Sequence, residues 1–268
     1  MVFRLVSAAV GLILSTALAH ADFRDHLLRP NTIVVGTTGS APPFSMIDNS
    51  GQLAGFDIAV MKKVAADLGV KVEFVQLDWA GLLPGLVAHR FDIVSSGVNR
   101  TAARLKSKDL IMLSPYIVNG VTVTKLADNV GIKGWSDVCG KTVGAIRGST
   151  ELASIKATLP AGCLGKVVEY PGWTELSLDL KNKRIDWIGM DYLGPTFLTQ
   201  SDKSISVLPD FRAPSTQSVA VAPSEPDLAK AIDLLLVKYR QDGSLSELAK
   251  TYFGQGVDFS HLPPDPAD

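Results

Sequence analysis

The chain has 268 residues, 46% of them hydrophobic, and a formal net charge of -1 from 26 Lys and Arg against 27 Asp and Glu. Such a near-neutral balance gives no electrostatic reason to expect a nucleic acid or an anionic lipid surface as partner. The length is enough for a sizeable core, in one large domain or in two of about 120 residues each.

The first 21 residues have the pattern of a secretory signal peptide. Arg4 is the only early charge, an apolar run covers residues 5–18, and the small-x-small sequence Ala19-His20-Ala21 follows. The apolar run is shorter than the ~20 residues that cross a hydrocarbon core, although a retained N-terminal anchor is the alternative. We therefore expect residues 1–21 to be removed and a soluble mature protein to begin near Asp22.

After the signal, short β-branched runs alternate with amphipathic helices. The pattern predicts a strand at Thr32–Thr37, a helix over residues 57–68 that ends at Gly69, and a second strand over residues 71–77. Alternation of this kind is typical of βαβ units and a largely parallel sheet.

One β-α-β module occurs twice. Trp79 stands eleven residues before Arg90-Phe91-Asp92, and Trp173 stands eleven residues before Arg184-Ile185-Asp186. Each tryptophan is followed at the third and seventh positions by leucines, as a helix lying on a sheet requires: Leu82, Leu86, Leu176 and Leu180. Two similar modules predict two similar lobes.

The equivalent strand ends of the two modules should face one cleft, because open parallel sheets bind ligands at the carboxyl ends of their strands. In the first lobe that end is Ser95-Ser96-Gly97, and in the second it is Gly189-Met190-Asp191. We expect the chain to cross between the lobes near residues 118–121 and to return near residues 213–218.

These crossings divide the chain after the signal into four parts. We expect lobe 1 to begin at residue 22 and to be completed by a later return segment. The parts are lobe 1 over residues 22–119, lobe 2 over 120–214, the return part of lobe 1 over 215–257, and a tail over 258–268. The tail has no apolar periodicity and is predicted to be disordered.

Arg104 follows the first strand end and is predicted to lie in the first turn of a short helix that begins near Thr101. Its guanidinium can bind a carboxylate through two parallel hydrogen bonds, and the nearby Ser96-Gly97 turn offers amide hydrogens. A solvated arginine in a basic stretch with Lys106 and Lys108 is the alternative.

Two cysteines, Cys139 and Cys163, are present in a chain that we expect to be exported. Disulfides persist in such compartments, so we expect these two to be bonded to each other. A loop of that size stabilises a fold by about 3 kcal/mol in the chain-entropy model. Two buried free thiols are the alternative.

Residues 143–151 predict a strand, a turn and a helix, with the hydroxyls of Ser149 and Thr150 at the helix start. Helix N-termini bind anions, although capping the helix is the alternative role of these hydroxyls. Asp191, at the end of its strand, would hold an ammonium group opposite Arg104, and capping of the next helix is likewise its alternative role. A cation facing an anion suits a zwitterion such as a free amino acid.

Several short motifs run through the chain after the signal. Each is weak alone, but together they are specific. They are Pro42-Pro43-Phe44, Gly55-Phe56-Asp57-Ile58, Asp78-Trp79-Ala80-Gly81-Leu82-Leu83-Pro84, Phe91-Asp92-Ile93, Gly140-Lys141-Thr142-Val143-Gly144, Gly148-Ser149-Thr150, Arg184-Ile185-Asp186, Asp242-Gly243-Ser244 and Tyr252-Phe253-Gly254. With them the chain resembles the family 3 extracellular solute-binding proteins, the polar amino-acid receptors of ABC importers.

The resemblance implies an α/β, two-lobed periplasmic-binding-protein fold of type II. In this fold each lobe is a mostly parallel sheet flanked by helices, and two strands form the hinge. The resemblance also implies that Arg104 binds the ligand α-carboxylate and that Asp191 binds the α-ammonium. Backbone groups and hydroxyls would complete a polar clamp at Ser96, Gly97, Asn99, Ser149 and Thr150.

The side-chain pocket departs from the family pattern at one position. Many members have an aromatic residue before Pro-Phe, whereas this chain has Ala41, which would leave the pocket open on one side. Phe44 and Trp79 remain as candidate apolar walls, with core packing as the alternative for Trp79. Family receptors for basic ligands often have an acidic residue after the first strand. Here Thr38 stands there, which disfavours lysine or arginine.

None of the four histidines is placed for catalysis, and no nucleotide-binding loop, nucleophile elbow or metal-ligand spacing is present in the sequence. We therefore expect no enzyme activity, no cofactor and no metal. The resemblance implies a monomeric periplasmic protein whose partners are an amino-acid ligand and an ABC permease in the inner membrane. A periplasmic lyase on the same scaffold, such as a cyclohexadienyl dehydratase, and a sensor domain are the alternatives.

Overall fold

The computed structural model describes residues 23–253. The signal peptide expected at residues 1–21 and the tail expected at 258–268 lie outside the described residues. The strands are β1 Thr32–Thr37, β2 Ser40–Ala41, β3 Ser45–Ile47, β4 Leu53–Ala54, β5 Lys71–Gln76, β6 Ile93–Asn99, β7 Ile111–Met112, β8 Ile117–Leu126, β9 Val143–Ile146, β10 Val167–Tyr170, β11 Trp187–Asp191, β12 Ile205–Val207 and β13 Arg212–Val221. The α-helices are α1 Phe56–Leu68, α2 Trp79–Val87, α3 Ala102–Leu105, α4 Glu151–Thr158, α5 Trp173–Lys181, α6 Leu193–Leu198, α7 Pro226–Gln241 and α8 Ser244–Phe253.

Two parallel half-sheets are joined through two long strands. The strand order is β10-β9-β11-β8-β13-β6-β1-β5. Within the half-sheets β1 pairs in parallel with β5 and β6, and β9 pairs in parallel with β10 and β11. The linking strands β8 and β13 are antiparallel to each other and to their neighbours β11 and β6. The prediction of two mostly parallel lobes joined by a two-strand hinge is confirmed, whereas the residue limits of the lobes stay a prediction.

The position of each strand in the sheet explains how many of its residues are buried. All six residues of β1 are buried, as expected for a central parallel strand covered on both faces. The edge strand β5 is exposed at Lys71, Glu73 and Gln76 and half-buried at the residues between them, and it ends one residue earlier than predicted. Helix α1 starts at Phe56, one residue before the predicted start, and Gly69 ends it in the left-handed conformation at φ 67°, where glycine has no steric penalty.

The internal repeat is present in three dimensions. Helices α2 and α5 have nine residues each, follow β5 and β10, and precede β6 and β11. The four repeat leucines, at positions 82, 86, 176 and 180, are each fully buried. Each half-sheet is covered on both faces: α1, α7 and α8 lie opposite α2 in the first lobe, and α4 lies opposite α5 in the second.

Cys139 and Cys163 form the expected disulfide, with their Cα atoms 4.4 Å apart. The amide of Gly140 donates a 2.7 Å hydrogen bond to the Cys163 carbonyl beside it. The disulfide therefore links the segment before β9 to the loop before β10, in the second lobe. Neither thiol is free, so the alternative of two buried free thiols is wrong.

Candidate ligand-binding site

A cavity of about 590 Å³, solvent at its mouth included, lies between the two half-sheets. Both strand ends that the repeat singled out reach it. Seven of the ten predicted site residues line its wall: Thr38, Phe44, Trp79, Ser96, Gly97, Ser149 and Asp191. The other three, Arg104, Asn99 and Thr150, do not line it. They form a connected group immediately beside the wall.

Arg104 lies where the sequence predicts it, in the four-residue helix α3, whose cap residue Thr101 accepts a hydrogen bond from the Arg104 amide. The guanidinium donates a 2.8 Å bond to the carbonyl of Asn99. Its carbon Cζ lies 5.8 Å from the centre of the Trp79 ring, within cation–π range. Burial lowers the pKa of Arg104, and the negative charge of Glu151 opposes that shift. The alternative of a freely solvated surface arginine is therefore wrong.

Asp191 closes β11 and faces the cavity from the second lobe. Its Oδ1 accepts hydrogen bonds from the Gly194 amide at 2.7 Å and from Asn119 Nδ2 at 3.1 Å. The helix-capping role therefore holds as well, because Gly194 lies in the first turn of α6. Both bonds use Oδ1, which leaves Oδ2 without a hydrogen-bond partner among the described residues.

The pKa of Asp191 rises from its ordinary value of 3.8 to about 6. Burial is the main cause, because a carboxylate loses solvation there. The hydrogen bond from Gly194 opposes the rise, and the nearby negative charge of Glu151 adds to it. A cation brought next to Asp191 would favour the ionised form and reverse this shift.

The hydroxyl pair at the start of α4 is not used for capping. Thr150 occupies the cap position, but its side chain accepts no capping bond from the helix. Instead its Oγ1 accepts a 2.8 Å bond from Asn99 Nδ2, across the cleft. The Ser149 Oγ is buried and has no hydrogen-bond partner among the described residues. The capping alternative is therefore wrong for the side chains of both residues.

The two lobes contact each other through polar groups at this end of the cleft. Asn99 Nδ2 lies 2.8 Å from Glu151 Oε1 as well as from Thr150 Oγ1. The Trp79 indole donates a 3.1 Å bond to the carbonyl of Gly148. Helix α2 of the first lobe is thus joined to the turn before α4 of the second.

The first-lobe floor of the cavity is fixed from behind by a buried carboxylate. Asp57, fully buried at the start of α1, accepts a 2.6 Å bond from the Gly97 amide and a 2.8 Å bond from the Tyr116 hydroxyl. Burial raises its pKa to about 7. In front of it, the hydroxyls of Thr38 and Ser96 lie 3.1 Å apart. Asp57 therefore positions the Ser96-Gly97 turn.

Phe44 contributes less to the wall than expected, since it is only 3% exposed and packs edge-on against Phe253 at 5.3 Å. The sequence analysis missed several lining residues, among them Ser40, Ile146, Glu151, Trp173 and Gln217. Of these, Trp173 could have been found, because it is the repeat partner of Trp79. Nothing local in the sequence marks Gln217, which comes to the cleft from a hinge strand.

Within residues 23–253, no helix is long and apolar enough to span a membrane. Across the same residues, no group of three or more His, Cys, Asp or Glu side chains is arranged to bind a metal ion.

Two half-sheets joined by paired hinge strands, with a cleft between them that combines apolar walls with charged and polar groups, define a two-lobed ligand-binding protein. The model of the bacterial extracellular solute-binding proteins, family 3, matches residues 33–255. The chain is 31% identical over 252 residues to a probable amino-acid ABC transporter-binding protein of Haemophilus influenzae, with 92% of this chain and 95% of that protein covered. The chain belongs to the bacterial extracellular solute-binding proteins, family 3.

Solved structures agree with this assignment. ArgBP from T. maritima, in a mutant form, superposes with a TM-score of 0.79 and 25% identity, over 87% of this chain and all of that chain. An ancestral amino acid-binding protein, described as a precursor of cyclohexadienyl dehydratase, superposes with a TM-score of 0.76 and 30% identity, over 87% of this chain and all of that chain.

Proposed function

We propose that the protein is the substrate-binding component of an amino-acid ABC importer and holds one free amino acid in the cleft between its lobes. The observation that carries the proposal is the division of charge across this cleft. Asp191 lines the cleft from the second lobe. Arg104 lies beside it in the first lobe, where its guanidinium contacts the Trp79 ring and the Asn99 carbonyl.

In this proposal the free oxygen Oδ2 of Asp191 receives the α-ammonium of the ligand. The α-carboxylate is bound by Arg104, whose guanidinium has five N–H donors and gives one bond to Asn99. Arg104 reaches the ligand at the edge of the wall, next to the Trp79 ring. The Gly97 amide is already bonded to Asp57, so the unpartnered Ser149 hydroxyl is the better further donor.

Closure follows from the position of the clamp on two lobes. A ligand that contacts both Arg104 and Asp191 binds the closed state better than the open state, and this differential affinity shifts the hinge equilibrium. Strands β8 and β13 connect the lobes, and Asn119 on β8 is bonded to Asp191. The hinge strand and the ammonium site therefore move as one unit.

We propose binding without turnover. A lyase on this scaffold is the second candidate, because the ancestral neighbour is named as a precursor of cyclohexadienyl dehydratase. The presence of both Arg104 and Asp191 favours holding an intact amino acid. Mass spectrometry of the ligand recovered from the complex distinguishes the two: an unchanged mass supports binding, and a dehydrated or decarboxylated product supports the lyase.

We further propose a monomer that is exported through the signal peptide at residues 1–21 and delivers its ligand to a permease of the inner membrane. The family description as extracellular supports export, and so does the disulfide. N-terminal sequencing of the exported protein should give Asp22 as the first residue. Retention of residues 1–21 would instead support a membrane anchor.

The direct test is a thermal-shift screen of residues 22–268 against the common amino acids, followed by calorimetric titration of each compound that raises Tm. Any ligand that binds the folded state alone raises Tm with its concentration. At least one amino acid should do so with a stoichiometry of one. The proposal fails if no amino acid shifts Tm and none gives a binding isotherm.

A further inference from the structure

The charges at the cleft do not balance for a simple zwitterion. The charged residues that line the cavity are Glu151 and Asp191, both acidic. Beside the wall lies the cation Arg104, and the charge of Glu151 acts on both Arg104 and Asp191. If Arg104 pairs with the ligand α-carboxylate and Asp191 with its α-ammonium, Glu151 is left without a positive partner.

Glu151 is held in the cleft by a neutral group. Its Oε1 accepts the 2.8 Å bond from Asn99 Nδ2, and no ion pair joins it to a described lysine or arginine. A half-buried carboxylate loses solvation when a ligand fills the cavity, and this costs free energy unless a positive group replaces the water. The cleft therefore favours a ligand that brings a second cation.

Gln217 provides an independent indication. It lines the cavity from the hinge strand β13, it is only 2% exposed, and its Oε1 has no hydrogen-bond partner among the described residues. In the β6/β13 pairing it lies directly opposite Asn99, so both side chains project from the same face of the sheet. Asn99 contacts Glu151, and Gln217 and Glu151 both line the cavity. The cleft therefore contains a buried acceptor without a hydrogen-bond partner as well as a carboxylate without an ion pair, both among the described residues.

The remaining cavity walls suit a ligand side chain with a long apolar part. Trp79 and Trp173, the paired tryptophans of the repeat, line the cavity from opposite lobes. Indole faces attract cations and pack well against methylene groups. A ligand side chain with several methylene groups and a terminal cation rich in N–H donors matches these walls and the acceptors of Glu151 and Gln217.

We propose that the cleft selects amino acids whose side chain ends in a cation, an ammonium or a guanidinium, and that Glu151 is the residue that determines this selectivity. The proposal rests on the proposed function, since it concerns the side chain of the same ligand. It reverses the expectation drawn from Thr38: the acidic partner absent after the first strand is supplied by the second lobe, at the start of α4.

A purely structural role for Glu151 makes a different prediction. In that case its carboxylate stabilises the first turn of α4 and bonds to Asn99 to hold the lobes together, and its loss weakens every ligand equally. Under the proposal its loss weakens cationic ligands alone. Two ligands of nearly the same shape, one charged and one neutral, separate the two roles.

The experiment titrates arginine and citrulline into the wild type and into Glu151→Gln. The side chain of arginine ends in a charged guanidinium, whereas that of citrulline ends in an uncharged urea group. The amide of the variant keeps an acceptor for Asn99. We expect the wild type to bind arginine at least tenfold more tightly than citrulline, and the ratio to fall to within about twofold in Glu151→Gln. Glu169→Gln is the matched control, since it removes the same charge from an exposed position on β10 that does not line the cavity, and it should retain the wild-type ratio.

Each other outcome has a defined meaning. Citrulline binding the wild type as tightly as arginine overturns the selectivity, while the proposed function stands. An unchanged ratio in Glu151→Gln, or an equal loss for both ligands, overturns the role of Glu151. If Glu151→Gln does not fold, the wild-type ratio still decides the selectivity. If no amino acid binds the wild type, the proposed function itself fails.

Discussion

The two lobes are built from the same module but present opposite chemistry to the cleft. Helices α2 and α5 begin with equivalent tryptophans and bury equivalent leucines. The strands that follow end differently, in Ser95-Ser96-Gly97 in the first lobe and in Gly189-Met190-Asp191 in the second. The repeated framework thus brings equivalent strand ends to the cavity, and the residues at those ends determine which charges face it.

The lobes also differ in what stabilises them. Among residues 23–253, the main core of the first lobe contains 21 buried residues and includes helices α7 and α8. The main core of the second contains 11, and this lobe has the disulfide. Since a small core supplies less burial free energy, the covalent bond is found in the lobe that needs it more.

The largest effect is expected when either charged group of the proposed clamp is removed. Arg104→Ala and Asp191→Ala should each weaken amino-acid binding by about 2 to 5 kcal/mol, because each leaves a ligand charge desolvated and unpaired. Calorimetric titration with the best ligand of the screen measures the loss. The exposed neighbour Lys108 gives the control variant Lys108→Ala, which should bind normally. Undiminished affinity in both cleft variants would refute the clamp.

The second prediction concerns the disulfide of the smaller lobe. Replacing Cys139 and Cys163 by serine should lower the free energy of unfolding by about 3 kcal/mol, the loop-closure entropy of the cross-link. Urea unfolding followed by circular dichroism measures the change, with the wild type under reducing conditions as the matched comparison. Unfolding of the variant at the wild-type urea midpoint would show that the bond does not stabilise this lobe.

A third prediction concerns the pH dependence that Asp191 gives to ligand binding. In the proposed clamp Asp191 binds an ammonium as its carboxylate, and burial raises its pKa to about 6. Its protonated form grows as pH falls through that value, so affinity should drop below about pH 6 towards tenfold per unit, or about 1.4 kcal/mol. Titrations from pH 5 to 8 measure this dependence.

The control for the pH dependence is Asp191→Asn, which should bind weakly and show little change over the same range. A wild-type affinity that stays constant between pH 5 and 8 would mean that Asp191 does not hold the ammonium.

The smallest expected effect tests one of the contacts that join the lobes. Trp79→Phe keeps an aromatic wall but removes the hydrogen bond to Gly148, which should weaken binding by about 0.5 to 1.5 kcal/mol. Trp173→Phe is the matched variant, because its indole makes no hydrogen bond to a described residue, and it should lose less. An equal loss in both would indicate that the tryptophans act as walls alone.

Much of the fold could be predicted because it depends on short-range geometry. The spacing of leucines after Trp79 and Trp173 reflects the helix period, and the β-branched runs reflect strands buried on both faces. The helix that carries Arg104 followed from its position after the first strand end. Departures were limited to element ends, such as Phe56 in place of Asp57 at the start of α1, where local signals are weakest.

By itself the sequence determined the α/β class, the repeated module, the paired cysteines and the strand ends that carry Asp191 and Ser96. Only the tertiary structure decided which distant side chains meet at the cleft: Glu151 with Asn99, Gln217 with the cavity wall, and Arg104 with Trp79. The physical reason is that periodicity is set within a few residues, whereas contacts across the cleft depend on how two distant hinge strands orient the half-sheets. No local pattern records that orientation.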